Sequence, residues 1–294
     1  MTNTAEPDRE ALEEACVAIG LDPRGAQPIR IAENQIWRLT AGVVVRMTPP
    51  GRRTSAEREI RIARWLTDHG IPAVVPLDVQ QPLEHRGRTV TFWEQAPPHS
   101  PGTISDVALT LKELHALPLP GFDIGHLDPF VRIPERLAAA GTLADDDRRW
   151  LLDLQRDLSE RWAAGLPDGL PLRAIHGDAW PGNIVRVGNG RLLMDLERFS
   201  VGPPEWDLVS TAVRTKTTGA TSPGEYEEFC AVYGHDVTTW AGYETLAATR
   251  ELRMTTYAAL HAAGHPAWRE QAQFRVDCLR GRHGPRPWHW TGIV

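Results

Sequence analysis

Residues 175 to 185 read IHGDAWPGNIV. A histidine, an aspartate and an asparagine stand at fixed separations among small and apolar neighbours, just before a second apolar strand. In a loop of this kind Asp178 can take a proton from a hydroxyl. The side-chain carbonyl of Asn183, five residues on, can reach round the same turn to a hard cation such as Mg²⁺. At average residue usage the pattern H-G-D-x-x-x-x-N arises by accident on the order of once in a thousand chains of this length. The competing reading is a structural turn in which Asp178 caps backbone amides and His176 is buried.

The flanks supply more. "RAI", "NIVRV" and "RLLMD" read as short strands, and Gly188-Asn189-Gly190 turns the last two into a hairpin. That hairpin returns Asp195 beside the loop, so a second carboxylate arrives where a metal needs one. Upstream, "PIRIA" (28 to 32), "QIWRL" (35 to 39), "VVVRM" (43 to 47), "AVVPLDV" (73 to 79) and "TVTFW" (89 to 93) predict an antiparallel sheet. One strong helix is expected from about Ser55 to His69, started by Thr54 with Glu57 as a capping box and stopped by Gly70 and Pro72. The strand alternation puts Val43, Val45 and Met47 on one face and Val44 and Arg46 on the other. The helical stripe of Glu59, Ile62, Ala63 and Leu66 faces inward. A carboxylate on an inward stripe needs a partner, and Arg46 is the candidate. Such a pair is either a purely structural ion pair or a holder of nucleotide phosphates.

Pro and Gly in "APPHSPG" (96 to 102) mark a hinge, so the chain divides into an amino-terminal lobe, residues 1–96, and a mainly helical lobe, residues 97–294. Composition narrows the partners. A net charge of -6 gives no general pull toward nucleic acid or an anionic membrane, which favours a small molecule. The tail "RGRHGPRPWHWTGIV" mixes arginine and tryptophan but is expected to pack on the helical lobe. Three scattered cysteines without a C-x-x-C pair argue against a disulfide framework or zinc knuckle and fit a cytoplasmic location. The acidic start carries no signal-peptide pattern, and no apolar window approaches 18 residues. His261 and His265 lack the glutamate of H-E-x-x-H. Neither G-x-x-x-x-G-K-[ST], G-x-S-x-G nor G-x-G-x-x-G occurs, which removes P-loop kinases and the usual hydrolase and dinucleotide folds.

In order along the chain, "VVVRMTPP", "AEREIRIARWL", "VTFWEQ", "LKELHALP", "HGDAWPGN", "LLMDLE" and "GPPEWDL" resemble the aminoglycoside phosphotransferase family, whose relatives include choline kinases. The resemblance spans roughly residues 30 to 215. It implies an α+β, two-lobed protein-kinase-like fold and transfer of the γ-phosphoryl group of ATP or GTP, with Mg²⁺, to a hydroxyl of an aminoglycoside-like antibiotic or another small metabolite. Carried over by position, it makes Asp178 the catalytic base, Asn183 and Asp195 the Mg²⁺ ligands, and Arg46 with Glu59 the phosphate-holding pair. Glu94, Gln95 and Ala96 would meet the nucleobase, and His176 and Asp207 would support the loop. Glu197, two residues beyond Asp195 on a segment expected to be extended, is assigned to the metal or the acceptor. Trp180 is expected to pack rather than line a pocket.

Two departures stand out. Arginine occupies position 46 where the family often has lysine, and the chain's only lysines are Lys112 and Lys216. The loop "AENQ" (32 to 35) lacks the glycines and serine that help such loops wrap phosphate. Both features leave a second reading, a catalytically inactive binding module that keeps the fold.

Overall fold

The computed structural model describes residues 5–292. The chain forms two compact units. The first comprises Met1–Gly102, Pro120–Ile124 and Gly182–Phe199, and the second Thr103–Leu119, Gly125–Pro181 and Ser200–Val294.

In the first unit, α1 (Ala5–Ala18) precedes β1 (Gln27–Ile31), β2 (Gln35–Arg38) and β3 (Val43–Thr48), then α2 (Arg53–Asp68), β4 (Leu83–His85) and β5 (Arg88–Glu94). The strands make one antiparallel sheet in the order β1-β2-β3-β5-β4. Along β3, Val43, Val45 and Met47 are buried while Val44 and Arg46 are half-buried, the alternation the pleat requires. The Val43 face packs in one apolar cluster with Val90 and Phe92 and with Ala11, Leu12, Ala15 and Cys16 of α1. The opposite face carries Arg46, paired across the ladder with Thr91.

Helix α1 is not among the expected elements: its acidic residues mask the helical spacing of Leu12, Ala15 and Cys16. Helix α2 starts two residues earlier than expected. Its N-cap is Arg52, with no side-chain cap bond, and Glu57 pairs with Arg53 at 2.9 Å instead of closing a capping box with Thr54. Its buried stripe includes Glu59, Ile62, Ala63 and Leu66. Residues 73–79 are not a strand. Only isolated bridges form, Ala73 with Leu193 and Pro76 with Trp93, because Pro76 has no N–H to give a ladder.

The segment expected as a hinge contains β6 (Ser100–Pro101), which pairs with Arg186 and Val185. The second unit then begins at α3 (Ile104–Ala116), capped by Thr103 and Asp106 in a capping box. It continues with α4 (Ile133–Ala139), α5 (Asp145–Ala163) and β7 (Arg173–Ile175). The hairpin β8 (Ile184–Val187) and β9 (Gly190–Leu193) belongs to the first unit. It turns at Gly188, where φ of +56° suits glycine. Strand β10 (Ser200–Gly202) pairs with β7, and α6 (Glu205–Lys216), α7 (Pro223–Tyr233), α8 (Tyr243–Gly264) and α9 (Arg269–Leu279) complete the second unit. Its tail is packed: Trp290 is buried, the Trp288 N–H donates to Thr217 O, and Arg286 pairs with Glu251. No described helix is long and apolar enough to cross a membrane.

If α1 is part of the sheet's core, truncating its buried leucine must leave a hole. Leu12→Ala is expected to cost about 2–5 kcal/mol, read as a lower urea midpoint. A change under about 0.5 kcal/mol, the level of an ordinary surface substitution, would show that α1 only lies on the surface.

Candidate functional site

The HGD loop is held from beneath by α6. Asp207, fully buried, accepts the backbone N–H of His176 on Oδ2 and of Gly177 on Oδ1, both at 2.8 Å. Its Oδ2 also meets His115 Nε2 at 3.2 Å. Burial works against the charged form, but the His115 hydrogen bond and the nearby positive groups hold the carboxyl below the usual aspartate range. The Gly177 carbonyl, on the other side of the peptide, accepts from Trp206 Nε1 at 3.1 Å and from Arg250 Nη2 at 3.2 Å. Arg250 lies 4.1 Å over the Trp206 ring and donates to the Trp206 carbonyl at 2.9 Å.

Gly177 itself sits at φ +81°, a left-handed conformation that a β-carbon would strain. His176 is buried, and its Nδ1 accepts the Asp178 N–H at 3.2 Å, which places the ring proton on Nε2. The result is a rigid loop from which one carboxylate projects. Asp178 keeps 50% of its side chain exposed, with Arg250 Nη1 at 3.9 Å. His115, Trp206 and Arg250 carry much of this bracing, and none of them is an expected site residue. The available signal for Arg250 was an arginine set among the apolar residues of a buried helix.

In the first unit, the β8–β9 ladder pairs Ile184 with Leu193, and beyond it Met194 N–H donates to Asn183 O at 2.8 Å. Asn183 and Asp195 therefore flank the open end of the hairpin. Asp195 has φ 56° and ψ 71°, costing about 1–3 kcal/mol for a non-glycine residue. This turn sends the chain into a 3-10 helix, Leu196–Arg198, in place of the extended segment expected there. Glu197 is brought to Arg46: its Oε2 accepts from Nη2 at 3.0 Å, while Glu59 Oε2 accepts from Nη1 at 2.5 Å. The expected Arg46–Glu59 pair thus exists and has a third member. Burial, with the Glu197 and Asp195 carboxylates, holds Glu59 above the usual glutamate range against the pull of Arg46. Two carboxylates pair with one guanidinium and the Asp195 carboxylate acts on it through space, which leaves negative charge that a cation would relieve.

The donor chemistry fits Mg²⁺. Among the described residues no three His, Cys, Asp or Glu side chains converge on a protein-only metal cage. Mg²⁺ does not ask for one, since it is usually held by one or two carboxylates, waters and substrate phosphates. His261 and His265 stack with ring centroids 4.1 Å apart. In the strand after β5's core, the N–H groups of Glu94 and Gln95 donate to Val75 O and Gly42 O at 2.8 and 2.9 Å. Among the described residues the Ala96 N–H makes no such bond.

The profile of the phosphotransferase enzyme family (APH) matches residues 25–252, and the chain belongs to that family. No curated protein sequence matches. Solved structures agree on the fold. A choline/ethanolamine kinase family protein from Mesorhizobium loti is 17% identical, with TM-score 0.63 over 94% of this chain and 93% of that one. An amicoumacin kinase in complex with AMP-PNP and Ca²⁺ is 12% identical, with TM-score 0.66 over 92% and 96%. An aminoglycoside phosphotransferase from Streptomyces rimosus is 18% identical, with TM-score 0.59 over 83% and 98%. The expected kinase-like α+β fold and the expected family are both found.

The bracing of the loop has a pH signature. A carboxyl whose folded value lies below its unfolded one contributes full stability above the unfolded value, about pH 4, and loses it as pH falls through the folded value. Asp207→Ala is therefore expected to cost at least about 3 kcal/mol at pH 7 and progressively less as the medium is acidified. Urea midpoints of both proteins from pH 7 to pH 3 measure this; a difference constant across that range contradicts it.

Proposed function

We propose that this phosphotransferase moves the γ-phosphoryl group of a purine nucleoside triphosphate to a hydroxyl of a small molecule, with Asp178 as the base. The observation that carries the reading is the fixed backbone beneath a half-exposed Asp178: six residues, Asp207, His115, His176, Gly177, Trp206 and Arg250, are spent on orienting a carboxylate that itself stays accessible. Asp178 takes the proton from the acceptor hydroxyl as its oxygen bonds the γ-phosphorus and the bond to the bridging oxygen breaks, releasing the nucleoside diphosphate.

Arg46 holds phosphate oxygens, kept in place by Glu59. Arginine in this position brings a planar fork, and the structure uses both arms of it, one per carboxylate. Asn183 and Asp195 would hold Mg²⁺, which when bound would neutralise charge on the phosphoryl oxygens. The Ala96 N–H would meet the nucleobase, with Glu94 and Gln95 keeping that strand in place. The solved relatives named above include an amicoumacin kinase, an aminoglycoside phosphotransferase and a choline/ethanolamine kinase family protein, so an aminoglycoside-like antibiotic and a small metabolite are both acceptor classes to assay.

Two variants test this. Mg-ATP or Mg-GTP at a hundred times its Kd adds about 2.7 kcal/mol to folded stability; the wild type is expected to show such a melting shift only with the metal, and Asp195→Ala to lose it. Asp178→Ala is expected to keep the shift while kcat falls about 10²–10⁴-fold, measured as diphosphate release with a pool of hydroxylated acceptors. Wild-type turnover in Asp178→Ala would remove the base assignment. A nucleotide shift without turnover in any acceptor pool would favour the inactive binding module.

A further inference from the structure

Trp180 lies two residues after Asp178, and the residue is 41% exposed. It is thus not the packed side chain the sequence suggested. Arg214 Cζ stands 5.8 Å from the ring centroid. Asp207 and Arg214 are seven residues apart on α6, two helical turns, and so share one face of that helix. One end of the face braces the loop at His176 and Gly177, and the other reaches the loop at Trp180.

Several partly buried arginines, Arg58 and Arg275 among them, also have an unpartnered Nε, but their other guanidinium nitrogens reach carbonyls; among the described residues the Arg214 guanidinium has neither an ion pair nor a carbonyl partner. Arg46, Arg280 and Arg286 each pair with two carboxylates, and Arg250 donates through Nη2 to the carbonyls of Gly177 and Trp206, with Asp178 3.9 Å from its Nη1. Among the described residues no carboxylate lies within ion-pair distance of Arg214, and its Nε is buried without a hydrogen-bond partner. Glu225 acts on it only through space, because the Glu225 carboxylate is committed to the N–H and hydroxyl of Ser222 at 2.8 and 2.7 Å. Burial lowers the affinity of this guanidinium for its proton. A desolvated cation left uncompensated is costly, and its planar fork matches a carboxylate or phosphate.

We propose that Trp180 and Arg214 form an acceptor subsite for an anionic group, so that the hydroxyl phosphorylated belongs to a carboxylate- or phosphate-bearing alcohol. The indole provides a flat apolar floor for the acceptor's carbon skeleton, and the guanidinium completes its ion pair when the acceptor is bound. A polycationic amino sugar at this place would meet like charge, which works against it. This assignment rests on the phosphotransferase reading above and names its acceptor class.

The test uses the full chain with Mg-nucleotide and matched acceptors: hydroxy acids against their amides, alcohol phosphates against the free diols, and a polycationic aminoglycoside. The acids or phosphates are expected to exceed their neutral partners at least tenfold in kcat/KM; which of the two is preferred tells carboxylate from phosphate. Arg214→Gln is expected to raise the acceptor KM tenfold or more while kcat and the nucleotide KM change little, with partial rescue in Arg214→Lys. Equal rates for acid and amide, preference for the aminoglycoside, or no turnover and no melting shift with any anion overturn the subsite. So does a rise in the nucleotide KM alone, which would assign Arg214 to the donor's phosphates. A missing Mg-nucleotide melting shift in the wild type fails the phosphotransferase reading instead. The anion subsite is then judged by whether Arg214→Gln abolishes the shift given by the hydroxy acids.

Discussion

One buried carboxylate governs the HGD loop. Asp207 takes two consecutive backbone N–H groups, of His176 and Gly177, and the imidazole of His115. Consecutive amides can point to one carboxylate only if the chain bends sharply between them, and the left-handed glycine at 177 supplies the bend. The carbonyl left over on the outside of the bend would be buried and unpaired, so Trp206 and Arg250 meet it. Each of these groups is explained by the one before it, and Asp178 is the residue that the sequence of constraints leaves facing outward.

The first unit is arranged around a charge instead of a bend. Arg46 stands on the face of β3 opposite the apolar cluster with α1, and it reaches Glu59 of α2 and Glu197 after β9. Two carboxylates on the two arms of a guanidinium fix its plane as well as its position, which a lysine ammonium with three freely rotating donors would not do. The strained backbone at Asp195 belongs to the same arrangement, because without that turn Glu197 would not be carried back to β3.

Much of this was legible in the residues. The alternation in β3, the inward stripe of α2, the hairpin turn at Gly188 and Asn189, and the Arg46–Glu59 pair follow from periodicity and from the cost of burying a lone carboxylate. What was missed shares a cause. Glu197 was placed by assuming an extended backbone after Asp195, and no pattern in "MDLER" announces a left-handed aspartate. Arg250 reaches the loop from 73 positions further along the chain, a distance at which a single sequence carries no register. The strand expected at residues 73–79 failed on one proline, whose missing N–H outweighed the β-branched residues beside it. Helix α1 was legible but hidden by its acidic residues, since its apolar positions are short and few.

The guanidinium at position 46 also decides how this protein would look to covalent chemistry. Acyl-phosphate derivatives of nucleotides mark many kinases by acylating a primary amine beside the bound phosphates. With Arg46 holding those phosphates as proposed, that amine is replaced by a group that stays protonated throughout the accessible pH range and does not acylate under the same conditions. The chain's two lysines lie elsewhere, on α3 and α6. In a survey by amine-directed nucleotide probes, this protein could bind its nucleotide well and still go unmarked through Arg46.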